Sequence, residues 1–224
     1  MRFGVGNGWR GLAAAVLLTG LAAGCGESGE DSGSAGGKAS ATAEVAARGG
    51  SIGAAGSACE LPVTFDIAEF WEAEGVDAAD QEIDTGDAAS DAIGDALVDL
   101  LRQGPVTMVC EIDAKPAGKL GFLRVWTGEP GDAEARTVLE GFVGAEKTAS
   151  GEKYRAFTSG SFSGTEVEYT TTSALLEETK KERALAVSTP DGPVVIHLGG
   201  MDTEEHEAML PAFELAKSTL KATS

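Results

Sequence analysis

Three cysteines, Cys25, Cys59 and Cys110, are the residues of this chain with the clearest covalent chemistry. A cysteine of an exported protein is paired in a disulfide, modified, or left as a free thiol. An odd number therefore leaves one cysteine for a purpose other than pairing within the chain. The position of each cysteine along the sequence indicates which one that is.

The first cysteine follows an export signal. Residues 1–11 carry Arg2 and Arg10 and no acidic residue, and residues 12–24 form an apolar run of 13 residues. As a helix, this run would span about 20 Å, which is shorter than the ~30 Å hydrocarbon core of a bilayer. The pattern is typical of a cleaved signal peptide over residues 1–24, and it argues against a permanent membrane span.

The apolar run ends in Leu21, Ala22, Ala23, Gly24 and Cys25, which resembles the lipobox of bacterial lipoproteins. Small residues precede the cysteine as in that family, although Ala22 stands where leucine is commonest. The resemblance implies that the Cys25 thiol carries diacylglycerol and that its new amino group can take an acyl chain such as palmitate. Two or more acyl chains anchor a protein stably, which predicts the extracytoplasmic face of the cell membrane. The alternative is an ordinary signal peptide that leaves Cys25 free.

The other two cysteines, Cys59 and Cys110, lie in the part of the chain that export places in an oxidising compartment. A disulfide between them is the simplest interpretation. It would close a loop of about 50 residues and contribute roughly 4 kcal/mol in the chain-entropy model. Two buried thiols are the alternative. If the disulfide forms, neither cysteine is available as a nucleophile.

His197 and His206 are the only histidines of the sequence, and Asp202, Glu204 and Glu205 lie near them. These residue types build zinc sites and acid–base pairs, but zinc requires three or four ligands that converge in a fixed geometry. Capping of a helix by Asp202, with Glu205 in its first turn, explains the acids more simply. We therefore expect no metal ion, no cofactor and no catalytic residue here.

Four aspartates, Asp87, Asp91, Asp95 and Asp99, recur every four residues. On a helix predicted over residues 88–103 they form one stripe opposite an apolar face. A calcium site needs roughly six to eight converging oxygens, whereas a straight stripe diverges. The pattern favours a solvent-exposed helix face, and the functional alternative is an acidic surface for a cationic partner.

The balance of charge restricts the partners of this chain. It has 17 basic and 36 acidic residues, a net charge of −19. Nucleic-acid binding requires clustered Lys and Arg, and an anionic membrane surface also repels a negative protein. We therefore expect no nucleic-acid partner, and we expect contact with the membrane only through the lipid anchor.

The elements that must position these residues begin after a low-complexity segment. Of residues 26–57, 23 of 32 are Gly, Ser or Ala, which predicts a flexible tether that reaches about 30 Å. Residues 25–57 thus comprise lipidated Cys25 and this flexible tether. Residues 58–224 form a single extracytoplasmic domain. Its predicted strands are residues 63–65, 70–76, 106–112, 120–126, 153–157, 165–171, 182–188 and 194–198. Its predicted helices are residues 88–103, 132–143 and 203–220.

Local signals set several of these boundaries. Thr189 to Pro193 predict a hairpin turn, because Pro190 presets φ and Gly192 supplies positive φ. Asp132 is expected to cap the middle helix. Pro211 removes a backbone donor inside the last helix, which predicts two helical pieces there.

The order of elements indicates an α+β fold, an antiparallel sheet with helices packed on its faces. Aromatic residues of the strands form either its core or a ligand groove: Phe65, Trp71, Phe122, Trp126, Phe157 and Tyr169.

The chain also resembles PsbP/Mog1-like domains and the LpqN/LpqT-type bacterial lipoproteins, which join a lipobox, a tether and one αβα sandwich. The likeness rests on residues 63–65 and Phe70-Trp71 near the start of the domain. Near its end, the likeness rests on the hairpin at residues 190–192, Leu198-Gly199-Gly200 and a closing helix. It departs in the acidic insertion at residues 77–103. The resemblance implies a protein that binds or assists other molecules and has no catalytic centre.

These observations favour a non-catalytic binding or accessory module of the cell envelope, with an envelope protein or an apolar ligand as its partner. Two alternatives remain: a cell-surface hydrolase that uses His197 or His206 as its base, and an envelope structural or stress protein without a small ligand.

Overall fold

The computed structural model describes residues 44–76, 100–173 and 177–223. The predicted signal peptide, Cys25, most of the tether and the stripe of Asp87, Asp91, Asp95 and Asp99 lie outside these residues. In chain order the described strands and α-helices are β1 (Arg48–Ile52), β2 (Val63–Ala68), β3 (Glu72–Gly75), β4 (Arg102–Gln103), β5 (Val106–Asp113), β6 (Gly121–Thr127), α1 (Ala135–Gly144), β7 (Ala149–Ser159), β8 (Phe162–Ser173), β9 (Glu178–Thr189), β10 (Gly192–Gly200), α2 (Thr203–Ser218) and β11 (Lys221–Ala222). A short 3-10 helix, Lys115–Ala117, lies between β5 and β6.

An eight-stranded sheet forms the middle of the described fold, in the order β3-β5-β6-β10-β9-β8-β7, with β4 also paired to β5. Its strands pair antiparallel, and β9 and β10 form the predicted hairpin at the Thr189–Gly192 turn. A second sheet of three strands has the order β1-β2-β11. The predicted antiparallel α+β class is therefore confirmed.

Helices cover both faces of the large sheet because β9 and β10 alternate between two apolar clusters. Leu185 and Ile196 face a cluster that includes Phe213 of α2 and residues of the small sheet. On the opposite face, Ala186 and Val195 join Phe142 of α1. This period-two pattern buries apolar side chains on each side of one strand, which makes the predicted sandwich.

A disulfide between Cys59 and Cys110 ties the connection between β1 and β2 to strand β5 across 51 residues. Cys110 has no exposed surface, and Cys59 is 4% exposed. The predicted pairing is confirmed.

Strand β1 corrects the tether that the sequence predicts up to residue 57. Arg48–Ile52 pairs with β2, and Ile52 is buried in the core. A Cβ at Gly49 would lie 2.6 Å from the Ala68 carbonyl oxygen, so this glycine permits a close approach of two backbones. The small residues of β1 therefore serve the packing of two strands. A count of small residues cannot distinguish this role from that of a flexible tether.

Strand β4 corrects the end of the predicted helix over residues 88–103. Arg102 and Gln103 pair with Thr107 and Val106, because Gly104, at φ +58°, and Pro105 form a tight turn between the strands. The rest of that predicted helix up to residue 99 lies outside the described residues.

The two described helices differ from the sequence expectation at one point each. Helix α1 follows Glu134, which makes no side-chain capping bond, so Asp132 is not the cap. Helix α2 begins at the predicted cap, with Asp202 Oδ1 accepting from the Glu205 backbone N–H at 2.8 Å. It continues through Pro211 as one helix. The carbonyl deprived of its donor belongs to Glu207, an exposed residue, where water can replace the lost bond.

Among the described helices, none is both long enough and apolar enough to cross a membrane.

Candidate functional site

A cavity of about 530 Å³ opens on the sheet face that carries α1. Helix α1 packs Phe142 against Trp126, with ring centroids 4.9 Å apart, and ends at Gly144. Farther along β6 and β10, the same face carries Phe122, Arg124 and His197. The described lining of the cavity is Gln103, Asp113, Lys115, Lys119, Leu120, Gly121, Phe122, Arg124, Trp126, Glu146, Tyr169, Lys180, Glu182, His197, Gly199, Gly200 and Met201.

His197 lies at the centre of the cavity floor, on the strand where the sequence predicts it. It is paired in register with Arg124 on β6. The imidazole ring has three aromatic neighbours, with ring centroids 5.8 Å away for Trp126, 5.7 Å for Phe142 and 6.3 Å for Tyr169. These rings hold the imidazole on the floor of the cavity.

Glu182 is the buried acid beside this histidine, 4% exposed. Its Oε2 lies 3.2 Å from His197 Nε2, and its Oε1 lies 2.8 Å from Lys180 Nζ. Burial acts to raise the pKa of Glu182, but the His197 ring and the Lys180 ammonium outweigh it and hold that pKa below its ordinary value. The floor therefore keeps an ionised carboxylate between two nitrogen groups.

Tyr169 stands next to Glu182 on the neighbouring strand. Burial raises the pKa of Tyr169 far above its ordinary value, and the Glu182 carboxylate raises it further. The phenol therefore remains protonated at every physiological pH.

Gly199 leaves the floor open beside His197. A Cβ on this residue would lie 3.3 Å from His197 Cε1 and 3.6 Å from Glu182 Oε2. Any larger side chain would occupy the cavity itself. This glycine is thus the position at which the cavity can be filled without removing a charge.

The structure does not bring the two histidines into one cavity. His206 lies in the first turn of α2 and is 1% exposed, and it is not part of the cavity lining. Burial lowers the pKa of His206 from 6.5 to about 4. In the described part of the chain, no group of three or more His, Cys, Asp or Glu residues is arranged to hold a metal ion.

The six aromatic residues of the predicted groove divide between the two faces of the sheet. Phe122, Trp126 and Tyr169 line the cavity. Phe65 and Trp71 are buried in the core cluster on the opposite face, and Phe157 is partly buried against the same cluster. The sequence pattern did not identify Glu182, Arg124 or Gly199 as site residues. The charge of Glu182, two positions before Ala184 in a predicted strand, was a signal that could have indicated a buried functional acid.

Together the fold and the cavity define a disulfide-bonded αβα domain with an open pocket on one face of an antiparallel sheet. The chain belongs to the family described as uncharacterised lipoproteins, whose model matches residues 29–220. Among curated proteins, none matches this chain in sequence.

Two solved structures are similar to it. Cyanobacterial PsbP of Synechocystis sp. PCC 6803 has 10% identity and a TM-score of 0.45, covering 72% of this chain and 86% of PsbP. LpqN of Mycobacterium tuberculosis, involved in cell envelope biogenesis, has 13% identity and a TM-score of 0.46, covering 76% of this chain and 88% of LpqN. Both are proteins of the kinds that the sequence resembles.

Proposed function

We propose that this protein is a non-catalytic envelope lipoprotein, anchored through Cys25 at the extracytoplasmic face of the membrane, whose domain binds a small amphiphilic ligand. Membership of a lipoprotein family supports the anchor. The cavity beside His197 carries the proposal of ligand binding, because it joins apolar surface to a few converging polar groups, as small-molecule sites do. Its volume, about 530 Å³, falls within the range of such sites.

The chemistry of the lining favours binding over hydrolysis. Within the described lining, there is no serine, threonine or cysteine to serve as a nucleophile for His197. His197 Nε2 faces Glu182 Oε2 at 3.2 Å, and neither atom makes a well-aligned hydrogen bond to a described residue. Acyl transfer through a side-chain hydroxyl or thiol requires that group within reach of its base, and the described lining offers none beside this pair.

Filling the cavity tests this function. The probe is N-phenyl-1-naphthylamine, an uncharged dye that fluoresces when it leaves water. The natural protein is expected to bind it saturably, and Gly199→Leu is expected to weaken binding about tenfold or more, because its side chain occupies the cavity.

Gly50→Leu is the matched control, since a Cβ on Gly50 of β1 meets no atom within 4 Å. Its dye binding should stay within about twofold of the natural protein. Urea unfolding of both variants establishes that they are folded. Equal dye binding by Gly199→Leu and Gly50→Leu, or no saturable binding by the natural protein, would overturn the proposed ligand site.

A further inference from the structure

We infer that the cavity selects amphiphiles with an anionic headgroup, which Lys115 and Lys119 hold at its mouth; this inference rests on the proposed ligand site. Both lysines come from the connection between β5 and β6, and both line the cavity. The headgroup chemistry is that of a carboxylate or a phosphate monoester, each of which accepts hydrogen bonds from an ammonium group.

The basic residues of the cavity differ in whether their charge is already compensated. Arg124 Nε lies 2.7 Å from Glu111 Oε2. Lys180 Nζ lies 2.8 Å from Glu182 Oε1 and donates to the Gly200 carbonyl at 2.9 Å. The charge of each of these two cations is therefore already compensated by a neighbouring carboxylate.

The lysines at the mouth have no such partner among the described residues. Two acids beside this connection accept hydrogen bonds from its backbone N–H groups. Asp113 Oδ1 accepts from the Lys115 backbone N–H at 2.8 Å, and Glu205 Oε2 accepts from the Leu120 backbone N–H at 3.3 Å. Lys115 and Lys119 thus place positive charge at the opening of the cavity in a chain of net charge −19.

Apolar surface lies beside this charge. Leu120 is 48% exposed and Met201 is 66% exposed, and the Met201 N–H donates to the Leu120 carbonyl at 2.9 Å. Phe122 continues the apolar surface inward, with the Arg124 guanidinium 4.8 Å from its ring centroid. Contiguous exposed apolar surface rimmed by polar residues is typical of ligand-binding sites. A ligand with a charged head and an apolar chain matches both halves of this mouth.

Three ligands with the same twelve-carbon chain test the selectivity: lauroyl lysophosphatidate, laurate and monolauroyl glycerol. Displacement of N-phenyl-1-naphthylamine is measured below the micellar concentration of each ligand, at low and at physiological salt. Both anions are expected to displace the dye at about tenfold lower concentration than the neutral glyceride at low salt. The difference in displacing concentration between the anions and the glyceride should decrease at physiological salt, because salt screens exposed charges.

The variant Lys115→Gln/Lys119→Gln is expected to bring the three ligands to within about twofold of one another, with monolauroyl glycerol unchanged. The matched control, Lys153→Gln/Lys221→Gln, removes the same charge from exposed positions outside the cavity and should keep the preference.

The outcomes separate the two proposals. If all three ligands displace the dye equally, or if the control abolishes the preference as well, the inferred headgroup site is overturned while the ligand cavity stands. If no dye binds, the cavity itself is overturned. If only the phosphate is preferred over the glyceride, the inference fails for carboxylates, and the site recognises phosphate alone.

Discussion

His206 shows how burial of one side chain links this fold to pH. The ring projects from the first turn of α2 with almost no exposed surface, and its Nδ1 has no hydrogen-bond partner in the described part of the chain. Because its neutral form is favoured in the fold, the folded pKa of about 4 lies below the ordinary value of 6.5. The unfolded chain therefore takes up a proton first as the pH falls, and stability decreases between about pH 6.5 and pH 4.

His206→Met is expected to remove this dependence. Urea unfolding of the natural protein from pH 7 to pH 4 should show a loss of stability attributable to His206, on the order of 3 kcal/mol at the lower pH. Between pH 7 and pH 4, the unfolding free energy of the natural protein should thus fall by that amount relative to the unfolding free energy of the variant. A difference independent of pH would show that His206 is not held neutral.

Residue roles that depend on local sequence could be predicted, and those that depend on strand register could not. Asp202 caps α2 by accepting a hydrogen bond from the backbone of Glu205, three positions away. Its role could therefore be predicted from the sequence. Glu182 acquires its surroundings from Lys180 on its own strand, Thr171 on β8 and His197 on β10. No sequence pattern within one strand specifies which residues of two other strands will lie beside it.

At the scale of elements, the turn between β4 and β5 holds α1 in place. A Cβ on Gly104 would lie 2.4 Å from the Gly141 carbonyl oxygen of α1. The turn and the helix therefore touch backbone to backbone at this point. Gln103, next to this turn, and Glu146, just after α1, both line the cavity, so this contact also bears on the site.

Gly104→Ala should be destabilising for two separable reasons. Its positive φ disfavours alanine by about 1 kcal/mol, and the clash with Gly141 adds at least about 1 kcal/mol more. Gly118→Ala is the control for the first cost, since Gly118 has φ +75° and open space around its Cβ position. Denaturant unfolding should rank Gly104→Ala below Gly118→Ala, and equal losses would exclude the clash.

Element types were predictable where the apolar period was strong. The long strands of the large sheet and the Pro190 hairpin followed from alternation and turn chemistry. Strands β1 and β4 were missed because each is short and is fixed by a partner strand. For β1 that partner is β2, whose approach requires Gly49; no property of residues 48–52 taken alone distinguishes them from a tether.

For the whole molecule, the proposed lipid on Cys25 is what would hold the domain at the membrane. The chain is too acidic to be held at an anionic membrane by charge. Cys25→Ser is expected to release the protein from the membrane fraction into the soluble fraction of the cell envelope or the medium, as followed by immunoblotting after fractionation. Undiminished membrane association of the variant would contradict the lipid anchor.

The disulfide also limits how the domain yields to mechanical force. A pull on the residues that precede β1 loads the ladder between β1 and β2 directly. Once that ladder opens, the chain can unravel only as far as Cys59, which is bonded to Cys110 on β5 of the large sheet. The slack released from Arg48 to Cys59 is at most about 40 Å. Tension along the proposed anchor would therefore extend the segment that precedes Cys59, while the cavity, built on β6, β9 and β10, keeps its shape.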